Sequence, residues 1–214
     1  MQGVRQGMWR RGLLAATVIL VTALTGAAAA QQPATAPAPE PAIIPRPVKL
    51  TPHAGHFTLT AATTIWTDRA SAALGRQLAE YLTPATGFHF VVRTTGTPAG
   101  NRIVLRRDRT LGRLGSEGYR LEVRRGVVTI RSAGSAGLFY GIQTIRQLLP
   151  AAILREAPIG DVTWTMPAVT IEDTPRFPWR GAHLDVVRHF MPRRFVEKYI
   201  DLLALHKMNS FHWH

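Results

Sequence analysis

An α+β domain followed by the first βαβ unit of a larger parallel sheet or barrel is the fold class this sequence predicts, and three observations predict it. Residues 43–172 alternate short β-type runs with two helical stretches. Residues 181–214 then run strand, helix, strand over about thirty residues, the length of a βαβ unit. Two parallel strands and one helix cannot bury their own faces, so this unit is expected to open a larger sheet or barrel.

Composition narrows the classes. Hydrophobic residues make up 46% of the 214, enough for a packed core. There is no cysteine, which excludes disulfides and thiolate metal sites. The formal net charge is +13, from 26 Lys and Arg against 13 Asp and Glu. The arginines are scattered from Arg5 to Arg194 without a block of five like charges, so no nucleic-acid partner is expected.

Residues 1–30 carry the marks of a secretory signal peptide. Arg5, Arg10 and Arg11 precede an apolar run, Leu13 to Leu24, and Ala28-Ala29-Ala30 offers a cleavage site. That run is too short to span a bilayer, which takes about 20 residues. The chain is therefore expected to be exported, periplasmic or extracellular, with no membrane partner beyond the signal. Residues 31–42 (QQPATAPAPEPA) are a Pro/Ala linker.

The domain of residues 43–172 is expected to build an antiparallel sheet with two helices. Short β-type runs lie at His56–Leu59 and Thr63–Trp66. Asp68 is placed to cap a helix from Arg69 to Leu82, which Thr83-Pro84 and Gly87 should end. Phe88–Arg93 and Arg102–Arg106 read as strands. Tyr119, Leu121 and Val123 alternate with polar residues, and Val127–Arg131 follows a turn whose Gly126 supplies a positive φ. In Gly134–Leu149 the residues Leu138, Ile142, Ile145 and Leu149 form one buried helical stripe. Gly137 and Gly141 would let that helix press onto the sheet, and Pro150 stops it. Trp164–Ile171 is a further extended run, and residues 172–175 break the chain.

The last forty residues hold the densest run of polar and aromatic side chains. Gly181–Leu184 is a β-type run ending at Asp185. Pro192 suits the first turn of a helix over Arg193–His206. Lys207-Met208-Asn209 turns the chain into Ser210–His214. His212 and His214 stand two apart on that strand and share a face. A zinc site is disfavoured there because no third ligand is evident.

RFPWRGAHLDVVRHFMP, followed by YIDLLALHKMNSFHWH, resembles the opening of the catalytic domain of glycoside hydrolase family 20, the β-N-acetylhexosaminidases. Ile44-Pro45-Arg46-Pro47 and GLFYGIQTIRQLL are similar to the domain that precedes the barrel in that family. The resemblance spans residues 43–214, and it implies that residues 175–214 start the family's catalytic (β/α)8 barrel, here incomplete. It implies a retaining, substrate-assisted hydrolase of terminal N-acetylhexosamine, acting on glycan substrates without metal or cofactor. It implies that Arg180 of the WRG segment grips sugar hydroxyls, and that Asp185, Arg188, His189, Asn209, His212 and His214 support the site. Asp185 with Arg188 is then a candidate buried ion pair.

The family's neighbouring Asp-Glu pair, whose glutamic acid protonates the leaving oxygen, has no counterpart in these 214 residues. No catalytic residue is therefore expected within them, and the 214 residues alone are expected to be inactive. Glu117, Glu122, Glu156, Asp161, Glu172, Asp173, Glu197 and Asp201 are expected to be solvated surface. The alternative function is a non-catalytic exported module that binds carbohydrate or protein. Oligomeric state is not legible.

Overall fold

The computed structural model describes residues 40–214; the expected signal peptide and most of the linker lie outside the described residues. Seven strands form one mixed sheet: β1 (Lys49–Thr58), β2 (Thr64–Thr67), β3 (Val91–Arg93), β4 (Arg102–Arg107), β5 (Tyr119–Arg124), β6 (Val127–Ser132) and β7 (Thr165–Asp173). Their order across the sheet is β1-β7-β5-β6-β4-β2-β3. Helices α1 (Ala72–Thr86) and α2 (Ser135–Leu148) pack on one face. A separate pair, β8 (Gly181–Leu184) and β9 (Ser210–Trp213), is joined by α3 (Arg193–Leu205).

The expectation of an antiparallel sheet is corrected. β1–β7, β5–β6 and β5–β7 are antiparallel, but β2 runs parallel to β3 and to β4, and β4 runs parallel to β6. Parallel neighbours need a long crossover; α1 supplies it between β2 and β3, and β5 with its preceding 3-10 turn (Arg109–Leu114) supplies it between β4 and β6. Alternation within a strand fixes which side chains face inward but not which strand lies alongside. The β5–β6 hairpin turns on Gly126 at φ 72°, as its position requires.

α1 continues through Pro84, past its expected end, and stops at Gly87, where φ is 69°. The proline ring costs α1 one hydrogen bond, to the carbonyl of Glu80, an exposed residue. Asp68 caps as expected, its carboxylate accepting from the Ser71 amide at 2.8 Å, although the first turn is 3-10. Strand β1 begins at Lys49, before the expected run, and β3 begins only at Val91.

The core lies between the sheet and the two helices. Ile65, Ile103, Leu105, Leu121 and Ile130 from the strands meet Leu78, Leu82, Leu138, Ile142 and Ile145 from the helices, all fully buried. Gly137 and Gly141 do allow the close approach. A Cβ at Gly137 would overlap the Gly118 carbonyl oxygen and Ser132 Oγ, and one at Gly141 would lie 2.5 Å from Ile130 Cγ2.

β8 and β9 are parallel and in register, His183 beside His212 and Leu184 beside Trp213. Helix α3 lies on the Phe211 side, where Tyr199 and Phe211 have ring centroids 5.5 Å apart. The histidines therefore line the opposite side. In a barrel with its helices outside, that is the interior.

Candidate functional site

Two polar clusters sit at opposite ends of the β8–β9 pair. The first, at the strand starts, joins the pair to the seven-stranded domain. Arg180 immediately precedes β8. Its Nε donates to the Lys207 carbonyl at 2.8 Å. Nη1 donates to Phe177 O at 2.7 Å and Glu117 Oε2 at 3.1 Å; Nη2 donates to Glu117 Oε1 at 2.9 Å and Tyr140 Oη at 3.0 Å. All five guanidinium donors are thus committed. Asn209 completes the cluster: Oδ1 accepts from the Arg180 amide, and Nδ2 donates to Glu117 at 3.2 Å and to Pro178 O at 2.7 Å.

Beside it, Lys207 is almost fully buried, with Nζ donating to Tyr119 Oη at 2.8 Å and to Asp173 Oδ2 at 3.0 Å. Tyr119 Oη in turn lies 2.6 Å from Thr144 Oγ1. Lys207 has φ 59°, a left-handed conformation that usually falls to glycine just after a helix. With the backbone so turned, the side chain brings its ammonium to Tyr119 and Asp173.

The electrostatics follow from these contacts. Hydrogen bonding to Arg180 is the largest influence holding the Glu117 carboxyl below its ordinary value. Burial pushes the Lys207 ammonium down, against the pull of Asp173. Burial also raises the Tyr119 and Tyr140 hydroxyls.

Three expectations are corrected here. Arg180 does not present donors at a barrel mouth; it stands at the start of its strand with its fork committed to Glu117. Glu117 and Asp173 are not solvated surface. Their side chains are 23% and 13% exposed, each in an ion pair with a partly or wholly buried cation. Glu172 is likewise paired, to Arg113 at 2.6 Å. A cavity of about 350 Å³ adjoins the cluster, lined by Tyr119, Tyr140, Glu117, Arg180 and Lys207. These groups bond to one another, which leaves the cavity without an uncommitted polar group from among them.

The second cluster lies at the strand ends, the side on which (β/α)8 barrels carry their chemistry. Asp185 Oδ1 accepts from the amides of Val187 at 2.9 Å and Arg188 at 3.1 Å, and lies 3.3 Å from His214 Nδ1. The Arg188 amide is the first cause of the carboxyl's lowered pKa. A carboxylate held ionised in this way is in the wrong state to serve as a general acid. His183 Nδ1 and His212 Nδ1 are 3.0 Å apart, so one ring donates and the other must be unprotonated at that nitrogen. The His183 ring also stacks on His214, at 6.0 Å between centroids.

The expected buried pair of Asp185 with Arg188 is corrected as well. Arg188 Nε is 3.8 Å from Asp185 Oδ2, and the arginine side chain is 83% exposed. His189 is exposed. Asn209 belongs to the first cluster, whereas His212 and His214 belong to the second. His183 was missed, although its place two residues before Asp185 on a β-type run puts both on one face. Among the described residues no group of three His, Asp or Glu is arranged to hold a metal, and no helix is long and apolar enough to cross a membrane.

Comparison with known proteins places the chain in a family. The model of glycosyl hydrolase family 20, domain 2, matches residues 40–174, and that of the family's catalytic domain matches residues 177–214. The chain is 39% identical over 181 residues to a β-N-acetylhexosaminidase of Cellulomonas fimi, covering 82% of this chain and 34% of that protein. It is 36% identical over 173 residues to a β-hexosaminidase of Porphyromonas gingivalis, covering 80% of this chain and 22% of the relative. The solved structure of a Streptomyces coelicolor A3(2) GH20 β-N-acetylhexosaminidase superposes with a TM-score of 0.72 at 42% identity, over 80% of this chain and 34% of that one. The chain thus spans only about a fifth to a third of the length of these three relatives.

Proposed function

Because the chain belongs to glycosyl hydrolase family 20, we propose that these residues are part of a retaining exo-β-N-acetylhexosaminidase. Its substrates would be glycoconjugates or chito-oligosaccharides ending in β-linked GlcNAc or GalNAc. The names of the relatives support the reaction class. Residues 177–214 open the barrel, and the family's mechanism is substrate-assisted: the acetamido oxygen of the sugar attacks the anomeric carbon while an enzyme carboxylic acid protonates the leaving oxygen.

The observation that carries this reading is the contrast between the two ends of β8. At its start every donor of Arg180 is committed. At its end Arg188 is exposed, on the loop side where barrel sites form. Arg188 is therefore the arginine in place to donate to sugar hydroxyls, its planar fork matching a vicinal pair. Asp185 and the three histidines would shape the floor beneath it. Export, with cleavage after Ala30, belongs to the same proposal, and N-terminal sequencing of protein recovered outside the cytoplasm tests it.

No residue of the second cluster is a protonated carboxylic acid. The 214 residues alone are therefore expected to give no turnover of a chromogenic GlcNAc glycoside, since loss of a general acid alone costs about 10²–10⁴-fold. Turnover above blank by the 214-residue protein sinks that expectation. Reading the frame past codon 214 decides between the enzyme and a non-catalytic binding module: continuation into a paired-aspartate segment and a later Asp-Glu pair supports the enzyme.

A further inference from the structure

The helix-free face of the seven-stranded sheet gathers arginines that the sequence scatters. One row crosses four neighbouring strand pairs in register: Lys49 on β1 beside Glu172, Glu172 beside Arg120, Arg120 beside Arg131, and Arg131 beside Arg106. A second row places Arg124 and Arg102 on either side of Val127. Neighbouring strands lie about 4.8 Å apart, and like charges directly opposite each other oppose folding. Folding alone therefore disfavours three arginines side by side on β5, β6 and β4.

Carboxylates offset only part of this. Glu122 lies 2.8 Å from Arg120 and 3.9 Å from Arg131, and Asp108 lies 3.1 Å from Arg131. Among the described residues, no carboxylate lies within ion-pair distance of Arg102, Arg106 or Arg124. Between the charged rows the same face carries Thr51, Thr170 and Thr129, in register with Glu122.

We propose that this face binds an acidic polysaccharide, one bearing carboxylates along a hydroxyl-rich chain. Arginine forks pair with carboxylate groups two N–H at a time. The interleaved threonines and carboxylates accept from sugar hydroxyls. A DNA backbone is a continuous line of phosphates, about one charge per 1.7 Å of duplex, with no free sugar hydroxyls for these threonines and carboxylates to accept from. The inference rests on the glycan-directed reading of the protein, and adds a second site, on the sheet, that would hold an acidic glycan near the enzyme independently of turnover.

The test measures binding of hyaluronate fragments by the 214-residue protein at low and physiological salt, with chitohexaose, duplex DNA and anionic lipid vesicles beside them. The triple variant Arg102→Glu, Arg106→Glu, Arg124→Glu breaks no ion pair. It is expected to weaken hyaluronate binding about tenfold or more, and the milder Arg→Gln triple, which guards against misfolding, to weaken it less. A control triple on other surfaces, Arg69→Glu, Arg155→Glu, Lys198→Glu, changes net charge equally and is expected to leave binding within about twofold, since surface charges are screened beyond about 10 Å. Equal loss in both triples overturns the site in favour of diffuse charge. DNA or vesicles bound as tightly through the same three arginines overturn the glycan as occupant, and no hyaluronate binding overturns the proposal outright. None of these outcomes bears on turnover at the barrel, which the glycoside assay reads separately.

Discussion

The sheet domain and the β8–α3–β9 unit solve the burial problem differently. In the sheet domain, strands β4 to β7 send alternate side chains into a core closed by α1 and α2, and Leu121, Ile130, Ile142 and Ile145 are fully buried. In the second region α3 buries only Val196 and Leu205, while Ile200, Leu202, Phe190 and Trp213 are 46%, 44%, 85% and 60% exposed. Seven strands and two helices close on themselves; two strands and one helix do not. Two ion pairs tie the second region to the first, Arg180 with Glu117 and Lys207 with Asp173, beside the packing of α3 on α2. Its order is borrowed from the first.

The largest effect should come from cutting that attachment. Lys207→Met leaves Asp173 without its cation in a site that is 13% exposed. Breaking a buried pair from one side costs about 3–5 kcal/mol. Asp173 regains water if the second region lifts away, so the loss should appear as opening of residues 181–213 while the sheet domain stays folded. Hydrogen exchange checks this: protection should fall in β8, α3 and β9 and persist in β5 and β6. Uniform loss across both regions would show that they unfold as one.

Gly137→Ala strikes the opposite region. Its Cβ meets the Gly118 carbonyl oxygen and Ser132 Oγ, and backbone on the β5 side cannot give way as a flexible side chain would. Overpacking of this kind costs about 1–3 kcal/mol. It should lower the denaturation midpoint of the whole chain, because the second region cannot outlast its support.

The contrast also marks how far the residues alone could be read. The stripe of Leu138, Ile142 and Ile145 and the alternation of β5 are local periodicities, and both were legible. So was the strand–helix–strand spacing of residues 181–214, because length and turn residues specify it. Strand neighbours were not, since the inward face of β4 looks the same beside a parallel or an antiparallel partner. The polar attachment was hidden for a related reason: Glu117 is 63 residues from Arg180, and Asp173 is 34 from Lys207. Nothing local distinguishes these carboxylates from solvated ones. At the candidate site, both arginines flank one short strand, and strand direction decides between them. Arg180 falls at the start and Arg188 beyond the end, an order the sequence already carries; what it hides is that Glu117 takes up the Arg180 fork.

Acid should separate the regions more gently. Hydrogen bonding to Arg180 depresses the Glu117 carboxyl, so the folded value lies below the unfolded one, about 4.3. The pair's contribution is therefore complete above that unfolded value and disappears as pH falls through the folded value. Protection of β8 and β9, taken relative to the intrinsic exchange rate at each pH, should fall over that window ahead of β5 and β6. Glu117→Gln should loosen the attachment at neutral pH and remove this share of the acid dependence; an unchanged acid profile would place the sensitive group elsewhere.

The smallest effect is expected within α3. Val196 and Ile200 sit four residues apart on one helix, but Val196 is 4% exposed and Ile200 is 46% exposed. Ile200→Ala in the 214-residue chain should change stability by no more than about 0.5 kcal/mol, the usual range for surface substitutions. Val196→Ala removes methyl groups from a packed site and should cost more. If Ile200→Ala proved as costly as Val196→Ala in chemical denaturation, the outer side of α3 would already be covered in solution, and the openness of the second region would not describe the chain. If the two separate as expected, Ile200 is an apolar group awaiting cover. A following barrel helix packed against α3 would supply it, so the same substitution should become costly in any longer product of this frame.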